Sequence, residues 1–221
     1  MSGRVTLTID AKTPMGAPKV VVRYVLEENS TSLLVENRIQ NESNTVNEFG
    51  FRDMLRADRT FKFGTDVDDR LTWAHDEWFH QAYRVYSETA VRTHTGTRGV
   101  IVEYLWDGDD KIRLRPGQSR LIRRHIFPGK HRLEIIGLGR KLSGASVQPV
   151  AFEIRDPNGP VRNAQFVFSD NAGKALGLAR TDNDHLVHFL ASNGKYQVDI
   201  LSNGRPDVDF PVEVTDRAGG N

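Results

Sequence analysis

The sequence predicts an all-β protein of two tandem β-sandwiches, a larger one over residues 1–144 and a smaller one over residues 145–221. Three observations carry this expectation. Apolar and β-branched residues gather in short runs, several of them alternating with period two. Gly, Asn, Asp and Pro punctuate these runs, and no regular alternation with long helical stretches separates them. The 221 residues are 38% hydrophobic and 27% charged, enough to build a core and too apolar for a disordered chain.

The runs follow in order. Val5–Ile9, Lys19–Glu27 and Ser32–Ile39 open the chain as strands. Leu71, Ala74, Trp78, Ala82 and Val85 then recur at spacings of three and four, which fits one short amphipathic helix within Leu71–Val85. An irregular loop followed by a strand at Gln81–Ser87 fits the same residues, and both readings stay open. Val100–Trp106 reads as a strand buried on most of both faces, with Glu103 interrupting it. Asp107-Gly108 is a type I′ turn signal because both central residues need positive φ. Lys111–Arg115 alternates with Ile112 and Leu114 inward, and Pro116-Gly117 turns the chain again. Ser119–Phe127 and Arg132–Ile136 are further expected strands. Leu142–Ser146, rich in small residues, is the expected linker. Val147–Arg155, Gln165–Ser169, Leu186–Leu190, Tyr196–Leu201 and Phe210–Val214 complete the second sandwich.

Composition narrows the chemistry. With no Cys, disulfides, thiolate zinc sites, iron–sulfur clusters and thiol nucleophiles are excluded. No cofactor is expected. The net charge is +1, from 30 Lys+Arg against 29 Asp+Glu, which argues against a nucleic-acid coat. The balance differs locally: residues 1–144 hold 23 basic and 19 acidic side chains, and residues 145–221 hold 7 and 10. No apolar run reaches the ~18 residues of a spanning helix, and MSGRVTLTID lacks the hydrophobic stretch of a signal peptide.

Residues 156–198 carry a recognisable order. Asp156-Pro-Asn-Gly-Pro-Val-Arg-Asn-Ala164-Gln-Phe-Val-Phe precedes Ser169-Asp-Asn-Ala-Gly173, then Thr181-Asp182, then Gly194-Lys-Tyr196. This resembles the carboxypeptidase regulatory-like, or prealbumin-like, β-sandwich module, with Gly159, Gly173 and Gly194 at its turns and Ala164 as its small inward residue. Asp184-His185 stands where that family has a Gly. Such modules are usually accessory, so the resemblance implies fold and little about activity. Over roughly residues 19–136, the order VVVRYVLEENSTSLLVENRIQNES, DMLRADRTFKFG, VIVEYLW, LRPGQSRLIRRHIFPG resembles the supersandwich region beside PHP-type metallohydrolase domains or in aldose mutarotases. The chain has neither the length nor the clustered ligands of a PHP domain itself.

Three groups of residues are candidates for function. His75 and His80 flank Glu77, but a spacing of five sets them about 140° apart on a helix and on opposite faces of a strand, so they do not form a zinc-protease motif. Either could serve with a carboxylate such as Glu77 as the acid/base pair that a mutarotase-like enzyme needs. Trp73, Trp78 and Tyr83, with Phe79 and Tyr86, form either core or a platform for sugar rings. Arg113, Arg115, Arg120, Arg123 and Arg124 lie in a stretch, 111–132, with eight basic residues and no Asp or Glu. They read as a polyanion surface or as a solvated face neutralised by Asp66–Asp69 and Asp107–Asp110. The turn at Pro116-Gly117 is expected to bring these arginines together.

The reading that joins these observations is a non-catalytic binding or scaffolding region of a larger, envelope-associated bacterial protein. Its partners would be carbohydrate or another domain of that protein, with no specific nucleic acid. A mutarotase-like carbohydrate enzyme and a protein–protein assembly subunit are the alternatives. An extracytoplasmic location follows if the segment comes from a longer chain.

Overall fold

The computed structural model describes residues 3–11, 13–65, 70–76, 79–96, 99–181 and 185–216. Glu77, Trp78 and the acidic run at 66–69 lie outside the described residues, as do positions 182–184. The fold is all-β with several sheets and one helix among the described residues. In chain order the strands are β1 (Arg4–Ala11), β2 (Lys19–Glu27), β3 (Leu33–Gln40), β4 (Asn47–Gly50), β5 (Arg52–Arg56) and β6 (Lys62–Thr65). They continue as β7 (Leu71–Asp76), β8 (Gln81–Ser87), β9 (Val91–Gly96), β10 (Gly99–Tyr104), β11 (Lys111–Leu114) and β12 (Ser119–Gly129). Helix α1 (Arg132–Leu142) leads to β13 (Gln148–Glu153), β14 (Arg155–Asp156), β15 (Gly159–Pro160), β16 (Gln165–Asp170) and β17 (Ala175–Arg180). The last strands are β18 (Leu186–Ala191), β19 (Gly194–Leu201) and β20 (Val208–Val214).

The chain divides into two compact units. The first takes Met1–Ala74 and Tyr83–Pro128, and the second His75–Ala82 and Gly129–Asn221. A seven-stranded sheet ordered β1-β2-β3-β12-β8-β7-β6 dominates the first unit, with a three-stranded sheet β5-β10-β9 and a pair β11-β4. Its core joins these layers. Ile39 and Ile122 from the large sheet meet Val91, Val102, Tyr104, Ile112 and Leu114 from the smaller ones. The two expected turns form with the backbone their residues demand. Asp107 and Gly108 have φ of 52° and 88°, and Trp106 and Asp109 exchange main-chain bonds of 2.7 and 2.9 Å across them. Gly117 has φ 76° behind Pro116, and the Gln118 N–H closes the turn on the Arg115 carbonyl at 3.0 Å.

In the second unit, a four-stranded sheet ordered β17-β16-β19-β20 and the pair β13-β18 enclose Phe166, Phe168, Val187, Phe189, Tyr196 and Val198. Phe168 packs edge-on against Phe189 at 4.8 Å and stacks on Tyr196 at 4.5 Å. Ala164 is fully buried there. Thr181, also fully buried, ties the turn before β16 to the end of β17. Its Oγ1 accepts from the Ala164 N–H at 3.0 Å and donates to the Val161 carbonyl at 2.9 Å. Thr181→Val keeps the shape but unpairs two buried main-chain groups. It should cost about 2 kcal/mol in urea unfolding, and an unchanged midpoint would show that the turn relaxes to re-pair them.

Two expectations are corrected. The segment 71–85 contains no helix among its described residues; β7 and β8 run there, as the strand reading of Gln81–Ser87 has it. All six residues of β7 are buried, so both of its faces are occupied and the apolar positions lose their period of two. His80 takes φ 50° in the turn, where no Gly announces it. Arg132–Ile136 is the start of helix α1, not a strand. His131 caps it by accepting the Glu134 N–H at 3.2 Å, and Arg140 and Lys141 complement the dipole in its last turn. Leu142–Ser146 holds the C-terminal cap, with Ser143 N–H on the Gly139 carbonyl at 3.0 Å and Gly144 at φ 84°. Leu133 of α1 lies in the core of the second unit.

Candidate functional site

In the second unit, His80, Lys130, His131, Glu134, Arg180, Leu186 and His188 line a cavity of about 200 Å³. Local structure aims them there. On β18, Val187 and Phe189 enter the core, so Leu186 and His188 project from the opposite face. On β17, Ala179 enters the core and Arg180 alternates away from it. Lys130 and His131 lead into α1. The Glu134 carboxylate is turned back on the helix start, accepting the Lys130 N–H at 2.7 Å. Because His131 Nδ1 accepts a hydrogen bond, its other ring nitrogen carries the proton when the ring is neutral. Five side chains able to donate hydrogen bonds thus converge with one carboxylate, and that carboxylate serves as a helix cap. Arg180 adds a buried Nε with no hydrogen-bond partner among the described residues. A buried donor without a partner costs stability unless a ligand or water meets it. Chemically, the arrangement offers hydrogen-bond donors to oxygen acceptors.

Of the residues named from sequence, His80 reaches this cavity. His75 is 4% exposed within β7. Trp73 is buried, and Gly64 gives it room: a Cβ there would stand 2.3 Å from the indole ring. Tyr83 is partly exposed and stacks on Phe61 at 5.8 Å. Of the other described aromatics in this segment, Tyr86 is buried and Phe79 exposed.

The five arginines are dispersed. β11 and β12 do not pair with each other; β11 pairs with β4 and β12 with β3, so the expected juxtaposition across Pro116-Gly117 is corrected. Arg113 stands opposite Glu48 in register, and Arg115 is exposed. Arg120 lies 5.7 Å above the Trp106 ring. Arg123 bonds Glu36 at 2.9 Å beside Arg23, which meets the same carboxylate at 3.0 Å. Arg124, on the opposite face of β12 and 8% exposed, is the most enclosed. Its Nε meets Asp53 at 2.9 Å, its Nη1 donates to Asn37 at 2.7 Å, and its guanidinium lies over Phe51 and Tyr104. The Tyr104 hydroxyl donates to the same Asp53 oxygen at 2.5 Å. Burial, helped by the Asp53 charge, pushes that phenol well above its usual range.

A further pair is not named among the sequence candidates. His94 Nε2 lies 3.0 Å from Glu103, and Arg52 holds the other carboxylate oxygen at 2.9 Å. The His94 hydrogen bond chiefly lowers the Glu103 carboxyl. Neighbouring strands assemble this trio, and only the interruption of an apolar run by Glu103 hinted at it. Among the described residues, no group of three His, Asp or Glu side chains is placed to hold a metal. No described helix is long and apolar enough to cross a membrane.

No family model and no curated protein matches the sequence. Solved structures give distant likenesses. An aldose 1-epimerase-like protein of Escherichia coli K12 is 8% identical with a TM-score of 0.41, over 57% of this chain and 65% of its own. A TPR-domain containing protein of Parabacteroides distasonis is 11% identical with a TM-score of 0.49, over 70% of this chain and 36% of its own. A polysaccharide lyase is 15% identical with a TM-score of 0.40, over 95% of this chain and 37% of its own. This chain thus spans less than two thirds of each. At these values none of them assigns it a family or an activity.

Proposed function

We propose that the chain is a binding module whose second unit holds a compact oxyanion: a carboxylate, sulfate or phosphate group. The convergence of His80, Lys130, His131, Arg180 and His188 on one small cavity carries this reading. Its volume is below the roughly 300–1,000 Å³ of sites for drug-sized ligands, so it suits one acidic group or one acidic sugar unit. A uronate or sulfate on a polysaccharide is the carbohydrate form of such a ligand. On this reading the chain is an accessory region that presents the ligand beside other domains of a longer, envelope-associated protein. The accessory reading of the second unit also draws on the positive φ at Gly159 and Gly173 and the buried Ala164, which suit a carboxypeptidase regulatory-like sandwich.

Titration calorimetry of the 221-residue chain with sodium sulfate, inorganic phosphate, glucuronate and glucose tests the proposal. The anions should bind saturably and weaken with salt, and glucose should not bind. Arg180→Met should weaken binding about tenfold or more, as loss of a charge-assisted hydrogen bond does. Equal binding by wild type and Arg180→Met, or none at all, would sink it. A catalytic second reading draws on the His94–Glu103 pair, since His94 lines a groove with Met54, Arg56 and Ile101. Turnover of an aldose anomer that His94→Ala abolishes would favour it.

A further inference from the structure

β1 ends the seven-stranded sheet, and among the described residues no strand pairs with its outer edge. Every residue from Arg4 to Asp10 is exposed, with Val5 at 69%, Leu7 at 56% and Ile9 at 44%. These three share one face, opposite Leu26, Tyr24 and Val22 of β2. An edge this long and apolar is ordinarily protected by a proline, a lysine or a bulge. β1 has none of these. By contrast β20, the edge of the four-stranded sheet in the second unit, carries Pro211 in mid-strand.

The direction of the free hydrogen-bonding groups is fixed by β2. Arg4 pairs with Glu27, and one step further the Glu28 N–H donates to the Gly3 carbonyl at 2.8 Å. Odd-numbered residues of β1 therefore turn their main-chain groups to β2, and Arg4, Thr6, Thr8 and Asp10 turn theirs outward. An antiparallel strand added to this edge must form its hydrogen-bonded pairs with those four. Arg-Val-Thr-Leu-Thr-Ile-Asp is self-complementary in that register. With Leu7 on a twofold axis, Arg4 faces Asp10, Thr6 faces Thr8, Val5 faces Ile9 and Leu7 faces Leu7. The hydrogen-bonded pairs are then Arg4 with Asp10 and Thr6 with Thr8, as the outward groups require. A shift of two residues either way keeps the hydrogen bonding but takes Arg4 away from Asp10.

We propose that β1 pairs with β1 of a second copy of this chain, joining two seven-stranded sheets across a twofold axis. The charges at the strand ends select the register, and the two rows of Val5, Leu7 and Ile9 merge into one apolar stripe. This does not rest on the anion site of the second unit.

Sedimentation equilibrium of the 221-residue chain, over roughly 1–200 μM, should show a reversible monomer–dimer equilibrium. Arg4→Asp and Asp10→Arg each oppose like charges at two symmetry-related positions and should weaken the dimer about tenfold. The double variant Arg4→Asp/Asp10→Arg should restore it to within about threefold, since the pairs are re-formed with signs exchanged. Far-UV circular dichroism checks that each variant keeps its strands. A monomer throughout the range, or a dimer that both single variants leave unchanged, overturns the proposal. So does a double variant as weak as the singles.

Discussion

Gly137→Ala should destabilise the second unit by roughly 2–3 kcal/mol, although alanine is the better helix former by about 1 kcal/mol. Gly137 sits in mid-helix in α1 and is the point where α1 touches β18. A Cβ there would stand 2.3 Å from the Leu190 carbonyl oxygen, 2.7 Å from its Cβ and 2.8 Å from its nitrogen. Two of those atoms are strand backbone, so relief requires the helix to move off the sheet. Gly177→Ala is the internal comparison. Its Cβ would meet the Leu133 side chain at 2.6 Å and the Leu133 nitrogen at 3.2 Å, and a leucine rotamer can give way. The expected order in urea unfolding is wild type, then Gly177→Ala, then Gly137→Ala as the least stable. If Gly137→Ala proves as stable as wild type, α1 does not pack this closely. A fragment that begins at residue 147 lacks α1 and with it Leu133, so it should be less stable than one that begins at residue 129.

Arg124→Met should cost the first unit roughly 3 kcal/mol, the lower end of what removing one partner of a buried ion pair costs. The lower figure applies because the Asp53 side chain is 31% exposed and water partly compensates it. The substitution strands Asp53 and Asn37 and removes the cation that lies over the Phe51 and Tyr104 rings. In an Asp53→Asn background the same change should cost at least about 1 kcal/mol less, because no charge is then stranded. Equal costs in the two backgrounds would show that Arg124 contributes packing alone. The other arginines sit at exposed sites, and Arg123→Ala should stay within about 1 kcal/mol of wild type.

These arginines also show how far the sequence could be read. The alternation Lys111–Leu114 and the turns at Asp107-Gly108 and Pro116-Gly117 were legible because each depends on neighbours in the chain. That β11 pairs with β4, and β12 with β3, was not. Strand partnership is decided by which faces can be buried together, and the adjacent strands joined by Pro116-Gly117 part into different sheets. The same limit hid Arg124 as the buried member of a basic run, since nothing local distinguishes it from Arg123. The start of α1 reads as a strand because Leu-Glu-Ile-Ile suits a strand as well as a helix, and its cap is a histidine. The cavity of the second unit draws on the turn at His80, the start of α1 and the strands β17 and β18. Of its hydrogen-bond donors, only His80 is a candidate site residue by sequence.

The register of β3 with β12 has a kinetic consequence. Gln40 pairs with Ser119, so the centre of the large sheet is closed by residues nearly eighty positions apart. The meander β1-β2-β3 needs only short turns and can assemble as soon as it leaves the ribosome. It must then wait for β12, and at about 5–20 residues per second that wait lasts seconds. Refolding of the first unit should accordingly be slow, with non-local pairing placing it in the millisecond-to-second range typical of β-sandwiches. During synthesis the edge of β3 stays open to pairing with other chains until β12 arrives to cover it.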